Sequence, residues 1–268
     1  MEFRYLRCMI VTSTPIIGIA GKAGSGKDTV GTFLAQAYNG VCVGQADRMK
    51  RFLAALLDWN EDQLWGPSEL RSTVCKINRV EAVRRLHERH EDSNLSLGEA
   101  FVESVVPIHR QDVALTRLMS WVHDLGEELS PRSALQPLGT EWGRHISMDM
   151  WNLDAIFTCK TLLKGGWNYT RTRGLFKDEG AAFDYSIITD IRFRNEILNV
   201  RSEGGVVLRL TRQDLMKAGF YGHKSETEID SIPPHFYSRT LSNDLTVGDL
   251  LAKVAGVMRD SYGDNRLR

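Results

Sequence analysis

The chain has few cysteines and no long hydrophobic run. Only four of its 268 residues are cysteine, at positions 8, 42, 75 and 159, with no CxxC pair and no histidine at metal-binding spacing. This pattern favours reduced thiols over a disulfide framework or a zinc site. The apolar stretch nearest the N-terminus, 9–20, is broken by polar residues and is shorter than the ~20 residues of a membrane-spanning helix. We predict a soluble cytoplasmic protein without a signal peptide.

The chain also lacks a net charge. Its 34 Lys and Arg residues balance 34 Asp and Glu residues, and the pI is near 7.1. General nucleic-acid-binding proteins carry a basic excess, so we expect no nucleic-acid partner, and any bound anion must be held by a local site. With 42% hydrophobic and 25% charged residues, the composition excludes disordered, collagen and coiled-coil classes.

Short apolar runs alternate with amphipathic segments. The runs typical of buried parallel strands are 15–20, 41–43, 185–190 and 205–210. The segments with helical spacing are 28–38, 49–57, 195–203 and 247–258. This alternation predicts an α/β fold with a parallel sheet flanked by helices. The charged stretch from 60 to about 130 is mostly helical in pattern, whereas Lys164–Gly180 has little periodicity and predicts a mobile loop.

A glycine-rich segment, Gly21–Thr29, joins the first predicted strand to the first predicted helix. It follows the pattern G-x-x-x-x-G-K-[ST] up to Lys27, but Asp28 stands where Ser or Thr is usual. Glycines let backbone N–H groups turn inward around a phosphate, and the helix start adds its positive dipole. The context of strand, loop and helix therefore predicts a P-loop. The residues expected to bind the donor nucleotide here are Gly24, Ser25, Gly26, Lys27, Asp28 and Thr29.

The departure at Asp28 leaves two interpretations open. A carboxylate holds Mg²⁺ directly or through water, so Asp28 could replace the missing hydroxyl, which Thr29 could also supply. Alternatively, Asp28 only caps the helix, where a negative charge is favourable. We predict Mg²⁺ as the cofactor and Asp28 as its candidate ligand.

Further blocks extend the pattern beyond the loop. The blocks are Gly18–Thr29, Gln45–Lys50, Pro131–Arg144, Met150–Trp151, Thr189–Glu196, His223–Glu226 and Asn243–Thr246. In this order, and over residues 16 to about 250, the chain resembles the phage deoxynucleoside monophosphate kinases. The discriminating block is Leu-Gln-x-Leu-Gly-Thr-Glu-Trp-Gly-Arg at 135–144, because many families share the P-loop.

The resemblance implies transfer of the ATP γ-phosphoryl group to a deoxynucleoside monophosphate (dNMP), giving the diphosphate and ADP in phage nucleotide metabolism. It implies a single P-loop kinase domain, 1–268, with a core at about 15–58 and 184–260. A helical substrate-binding insertion at about 60–160 and a lid at about 164–180 complete this expectation. Related enzymes commonly form homodimers, and a phage-encoded one works in the host cytoplasm.

The catalytic candidates are Lys27, Arg144, Arg192 and Asp190. Phosphoryl transfer requires aligned phosphates, Mg²⁺ on the donor, and cations over the transferred group. Guanidinium forks suit phosphate oxygens, although surface ion pairs are the alternative for Arg144 and Arg192. Asp190 ends an apolar run and could orient the Mg²⁺ shell. Ile191 follows it, where a water-activating ATPase usually needs Glu, and this favours transfer over hydrolysis.

More residues are expected to bind the acceptor nucleotide. They are Lys22, Asp47, Lys50, Arg71, Gln136, Gly139, Thr140, Arg144, Trp151, Asp190, Arg192 and Glu196. Lys22 could lean from the loop toward the acceptor phosphate. Asp47 could accept the sugar hydroxyl or serve only as a turn residue, and Gln136 and Thr140 offer hydrogen bonds to a base or sugar. The resemblance places Glu196 on the substrate side; an ion pair with Arg192 is the alternative.

Aromatic and lid residues complete the candidate site. Trp151, and less strongly Trp142, could stack on a base, although an aromatic residue at such a place is more often part of the core. Arg171 and Arg173 suit a lid that excludes water on closing, with a solvated loop as the alternative.

The last two blocks contribute only bordering residues. Asn243 and Thr246 border the adenine of ATP by resemblance alone. His223, Ser225 and Glu226 are interpreted as polar structural residues at the edge of the site, because no nucleophile elbow precedes them.

Two other functions compete with this interpretation. One is a different P-loop small-molecule kinase, acting on dephospho-coenzyme A or on an isoprenoid phosphate such as phosphomevalonate. The other is a non-kinase ATP-binding module, regulatory or involved in DNA packaging, that hydrolyses ATP slowly while it is bound to DNA or protein. The neutral charge, Ile191 and the 135–144 block weigh against the second alternative.

Overall fold

The computed structural model describes residues 14–89, 94–213 and 224–264, without the side chains of 224–227. In this part of the chain the strands are β1 Ile16–Ala20, β2 Gly40–Val43, β3 Cys75–Lys76, β4 Glu128–Leu129, β5 Trp167–Thr170, β6 Gly174–Lys177, β7 Tyr185–Ile191, β8 Val206–Thr211 and β9 Arg239–Ser242. The helices are α1 Lys27–Ala37, α2 Asp47–Leu57, α3 Glu61–Trp65, α4 Ser68–Ser72, α5 Arg79–His87, α6 Leu97–Val105, α7 Gln111–His123, α8 Pro131–Gln136, α9 Met150–Leu162, α10 Arg194–Ser202, α11 Lys224–Ser231 and α12 Val247–Tyr262. A π-helix, Pro137–Arg144, follows α8 directly.

The largest sheet among the described residues has five strands in the order β2-β7-β1-β8-β9. Strand β1 pairs in parallel with β7 and β8, and β8 pairs in parallel with β9. Every residue of β1 is buried, as expected for a central strand with helices on both faces. The predicted α/β fold with a parallel sheet is therefore confirmed.

The apolar runs and the amphipathic segments correspond to β1, β2, β7 and β8 and to α1, α2, α10 and α12. Strand β9, Arg239–Ser242, escaped prediction because it lies at the sheet edge and only Leu241 is fully buried. An edge strand with two exposed polar residues does not give the apolar run expected of a central strand.

The chain divides into two compact units. Unit 1 combines the chain up to Cys42 with the chain from Phe183 onward, and it contains nearly all of the five-stranded sheet. Its core packs residues of β1, β7 and β8 against α1 and α12. Unit 2 is Val43–Ala182, and its core lies among α2, α3, α5–α9 and the π-helix.

The expectation of a loop over 164–180 is wrong in its secondary structure. Strands β5 and β6 form an antiparallel hairpin in which Trp167 pairs with Lys177 and Thr170 with Gly174. Gly174 has φ +81°, a conformation that glycine adopts without steric cost after the turn. The aromatic residues of Trp167–Thr170 and Gly174–Lys177 are typical of strands, whereas the intervening arginines conceal the alternation.

Within the described residues, no helix has both the length and the apolar character that crossing a bilayer requires.

Candidate functional site

The glycine-rich loop lies between β1 and α1, as its sequence predicts. Gly26 is the N-cap of α1 with φ +99°, in the left-handed region that favours glycine. A Cβ on Gly21 would lie 2.4 Å from Ser25 Oγ and 2.9 Å from the Leu210 carbonyl oxygen. Only glycine therefore allows the loop to fold back so closely over Ser25 and the end of β8.

The loop encloses polar groups suited to an anion. The Lys27 ammonium donates a hydrogen bond of 2.7 Å to the Lys22 carbonyl oxygen, so its side chain crosses the loop. Ser25 is 1% exposed, and its Oγ has no hydrogen-bond partner among the described residues. A buried hydroxyl without a partner costs about 1–3 kcal/mol, which an oxygen ligand in the loop would recover.

A cleft opens beside this loop. It is a shallow, open cleft, and its lining consists of Gly21, Lys22, Ser25, Arg209, Leu210, Thr211, Arg212, Ile229 and Asp230. Lys22 Nζ lies 2.5 Å from Asp230 Oδ2, and Arg209 Nη2 lies 3.7 Å from Asp230 Oδ1. The cleft is thus lined by three basic side chains and one carboxylate that is salt-bridged to two of them.

Asn243 connects the loop to the end of β8 through two hydrogen bonds. Its side-chain amide donates a hydrogen bond of 3.1 Å to the Ser25 carbonyl oxygen, and its backbone N–H donates to the Thr211 carbonyl oxygen. The described contacts of Asn243 therefore support the shape of the loop. Thr246, expected at the adenine, is the N-cap of α12 and accepts the N–H of Asp249 in a capping box.

Asp28 and Thr29 lie in the first turn of α1 with exposed side chains. The N-cap of this helix is Gly26, so Asp28 does not cap it through its side chain. Among the described residues, no group of three or more His, Cys, Asp or Glu side chains could hold a metal ion by itself. Mg²⁺ bound mainly by nucleotide oxygens and water needs only one or two protein oxygens, and this pair fits that requirement.

The end of β7 places two more candidates, Asp190 and Arg192, at the same edge of the sheet as the loop. The register of β1 and β7 shifts near the end of β7. Gly18 pairs with Ile188 and Ala20 pairs with Ile191, so β7 has one extra residue between these two pairs. Such a bulge redirects side chains at a strand end. Asp190 lies within it, and both Asp190 and Arg192 are half-buried. Because parallel neighbours end at the same edge, the loop and this bulge share the carboxyl edge of the sheet.

Glu196 is buried at the start of α10. Its Oε2 accepts the backbone N–H of Arg192 at 2.7 Å and of Phe193 at 3.1 Å. This is the bond of a capping carboxylate, which stabilises the turn from β7 into α10. Glu196 thus has a structural role at this turn, and its expected contact with substrate stays a prediction. Of the block 223–226, His223 and the side chains of Ser225 and Glu226 lie outside the described residues.

Unit 2 contains the remaining candidates, and Asp47 is the most fully bonded of them. The buried Asp47 accepts Trp65 Nε1–H at 2.7 Å through Oδ1. Its Oδ2 accepts the Tyr169 hydroxyl at 2.9 Å and the Gly44 N–H at 3.1 Å. Burial, followed by the Asp47 carboxylate, raises the pKa of the Tyr169 phenol well above its usual range. These three donors give Asp47 a structural role in unit 2, and its expected contact with a sugar hydroxyl stays a prediction.

The hairpin that was expected to form a lid is bonded to α2 and α3. Arg51 Nη1 donates to the Arg171 carbonyl oxygen at 2.9 Å, and the Arg171 guanidinium lies 2.7 Å from Glu61 Oε1. Arg173 lies over the Phe176 ring at 4.1 Å. Both expected lid arginines therefore have partners within unit 2.

The discriminating block, 135–144, begins in the last two residues of α8 and continues as the π-helix Pro137–Arg144. π-Helical segments are rare and occur frequently at functional sites. Gly139 packs on Met49, and Thr140 and Arg144 are half-buried. Gln136, the last residue of α8, is exposed.

Three more acceptor candidates lie on neighbouring elements of unit 2. Lys50 lies over the Trp65 ring at 5.5 Å. Arg71 is half-buried on α4, and its Nη2 donates to Ser68 Oγ at 3.3 Å. Because α4 packs on α8, Arg71 and Gln136 lie on adjoining elements.

The two tryptophans considered for base stacking, Trp142 and Trp151, are core residues. The buried Trp142 donates its indole N–H to the Ala114 carbonyl oxygen, and Trp151 donates to the Gly139 carbonyl oxygen. Phe101 stacks on both rings, with centroid distances of 5.4 and 6.3 Å. A Cβ on Gly143 would lie 2.5 Å from the Trp151 ring. Trp151 is therefore packed against protein, which favours the core alternative, and the expected base-stacking role stays a prediction.

Sequence reasoning missed three charged residues of the cleft, Arg209, Arg212 and Asp230. A signal for the first was present, because Arg209 interrupts the apolar run of β8 and pairs in register with Ala20, the residue before the loop. Asp230 gave no such signal, because its position depends on how α11 packs.

A search of protein-family models and of curated proteins found no match to this chain.

Proposed function

We propose that this chain is an ATP-dependent deoxynucleoside monophosphate kinase, which transfers the γ-phosphoryl group of ATP to a dNMP and releases dNDP and ADP. The observation that carries the proposal is the loop Gly21–Thr29, which follows a buried strand and opens a helix. It also encloses the buried Ser25 hydroxyl, which has no hydrogen-bond partner within the described part of the chain. The resemblance supplies the acceptor class, and its discriminating block forms the unusual π-helix of unit 2.

The donor side of the mechanism follows from the loop. Backbone N–H groups of the loop bind the phosphates, and Lys27 exchanges its bond to the Lys22 carbonyl oxygen for phosphate oxygens. Asp28 and Thr29, with Asp190 at the neighbouring strand end, would hold Mg²⁺, which neutralises phosphate charge when bound.

The transferred group requires further positive charge. Arg144 and Arg192 are the candidates for this role, because a planar guanidinium binds two phosphate oxygens at once. Neither provides a proton-transfer group, and phosphoryl transfer needs little covalent help from the protein. We assign Lys22, Thr140 and Arg71 to binding of the acceptor, and we propose a homodimer that works in the cytoplasm of the host.

The experiment is a coupled assay of ADP release with Mg²⁺ and ATP across dAMP, dGMP, dTMP, dCMP and dUMP. The proposal predicts turnover that requires at least one dNMP and is unaffected by DNA. Turnover only with dephospho-coenzyme A or phosphomevalonate would assign another small-molecule kinase. Acceptor-independent hydrolysis stimulated by DNA would assign an ATP-binding module instead.

A further inference from the structure

The cleft beside the loop contains Arg209, which the proposed mechanism does not use, and Lys22, which it assigns only to binding of the acceptor. Arg209 projects from β8, with its side chain 13% exposed and its guanidinium 5.3 Å from the centre of the Tyr237 ring. Lys22, on the loop, is 19% exposed. Both cations face the same carboxylate, Asp230 on α11.

Asp230 differs from its partners in exposure. Its side chain is 44% exposed, whereas the two cations are mostly buried. The preceding residue, Ile229, is 2% exposed, and its carbonyl oxygen accepts the Tyr237 hydroxyl. The helix is thus held in place at Ile229, while the Asp230 carboxylate can leave the cations by rotation of its own side chain.

We propose that Arg209 and Lys22 form a binding site for a nucleotide phosphate, and that Asp230 is a displaceable counter-ion for these cations. A carboxylate offers the same charged oxygens as a phosphate, and a guanidinium fork binds either one. The buried hydroxyl of Ser25 lines the same cleft and has no partner among the described residues, which independently indicates an oxygen ligand there.

The inference rests on the proposed function only in naming the phosphate as that of a nucleotide. It predicts that Asp230 competes with the ligand, so that its removal strengthens binding. A salt bridge with one half-exposed partner is weak, so we expect Asp230→Asn to tighten binding about two- to fivefold. Loss of a charged donor should change the binding affinity more than loss of Asp230 does. We expect Arg209→Gln to weaken binding about tenfold or more.

The test is isothermal titration of the full chain with inorganic tripolyphosphate, and separately with ATP and Mg²⁺. Asp260→Asn and Arg259→Gln are matched controls, because this exposed pair on α12 is no part of the cleft lining. Both controls should bind as the wild type does. Arg209→Lys, which keeps the charge and loses the fork, should fall between the wild type and Arg209→Gln, with melting temperatures recorded for all variants.

Several outcomes would overturn the inference. Unchanged or weaker binding of tripolyphosphate by Asp230→Asn would rule out the counter-ion role. If Asp230→Asn weakened only the binding of ATP with Mg²⁺, Asp230 would instead be a residue that contacts the metal. A wild-type chain that binds no tripolyphosphate would also overturn it. Stronger binding by Asp230→Asn in a chain that phosphorylates no dNMP would leave the inference standing and reject the proposed function.

Discussion

At the scale of single residues, steric limits on a few glycines shape the candidate site. The Leu210 carbonyl oxygen and Ser25 leave no room for a Cβ on Gly21, and the carbonyl belongs to a strand of the central sheet. A backbone atom in a sheet cannot move aside as the end of a flexible side chain can. The loop must therefore shift if this position carries any other residue.

Gly21→Ala should lower the melting temperature and abolish measurable ATP binding, because the added methyl group displaces the loop. Gly248→Ala is the control, since a Cβ there meets only Thr246 Oγ1 at an ordinary 3.6 Å. In the first turn of α12, that change should be neutral or slightly stabilising. Differential scanning calorimetry and ATP titration measure both effects; equal behaviour of the two variants would contradict the steric argument.

Lys27→Ala should leave the chain folded and reduce dNMP phosphorylation ~10²–10³-fold, because one donor to developing charge is lost. The side chain is only partly buried, so its removal leaves the core intact. Steady-state kinetics and circular dichroism measure the result, with Lys76→Ala in β3 as a control at an exposed lysine. Transfer at the wild-type rate would remove Lys27 from the mechanism.

At the scale of elements, sequence patterns predicted the strands and loops whose formation depends mainly on residues close together in the chain. The apolar runs of β1, β7 and β8 and the glycine-rich loop have strong local signals, and each was predicted close to its observed bounds. The contacts of Asp47 and Trp151 were not predictable, because they involve donors and rings from distant segments such as Tyr169 and Phe101. Cleft residues such as Asp230 depend on packing in the same way.

The bonds of the hairpin to α2 predict a response to alkaline pH. The raised pKa of Tyr169 means that the folded chain keeps a proton which the unfolded chain releases above about pH 10. The contribution of this group to stability is therefore complete below pH 10 and is lost as the pH rises further. Unfolding by urea between pH 8 and about 11 should show this loss.

Tyr169→Phe provides the comparison for that measurement. It should lower the free energy of unfolding near neutral pH by about 1–3 kcal/mol, because Asp47 loses a buried donor. The stability of this variant should also fall less steeply above pH 10. Some pH dependence should remain, because burial also raises the pKa values of Tyr262 and Tyr237. Parallel pH profiles for the two proteins would contradict the contribution assigned to Tyr169.

At the scale of the whole molecule, the chain distributes the candidate residues between two units. Unit 1 contains the loop, the cleft and the strand end at Asp190, whereas unit 2 contains the π-helix with Thr140 and Arg144. Unit 2 is inserted between β2 and β7, which are neighbours in the sheet of unit 1. An insertion at this point lets one P-loop core carry a separate group of acceptor candidates.

The fate of the γ-phosphate tests the central claim most directly. The chain would be incubated with Mg²⁺, γ-labelled ATP and each dNMP, and the label would be followed into dNDP and inorganic phosphate. We expect the label in dNDP for at least one dNMP, little inorganic phosphate, and transfer by Lys27→Ala that is slower by ~10²–10³-fold. Label that accumulates only as inorganic phosphate, or that stays on ATP with every dNMP, would contradict the proposal.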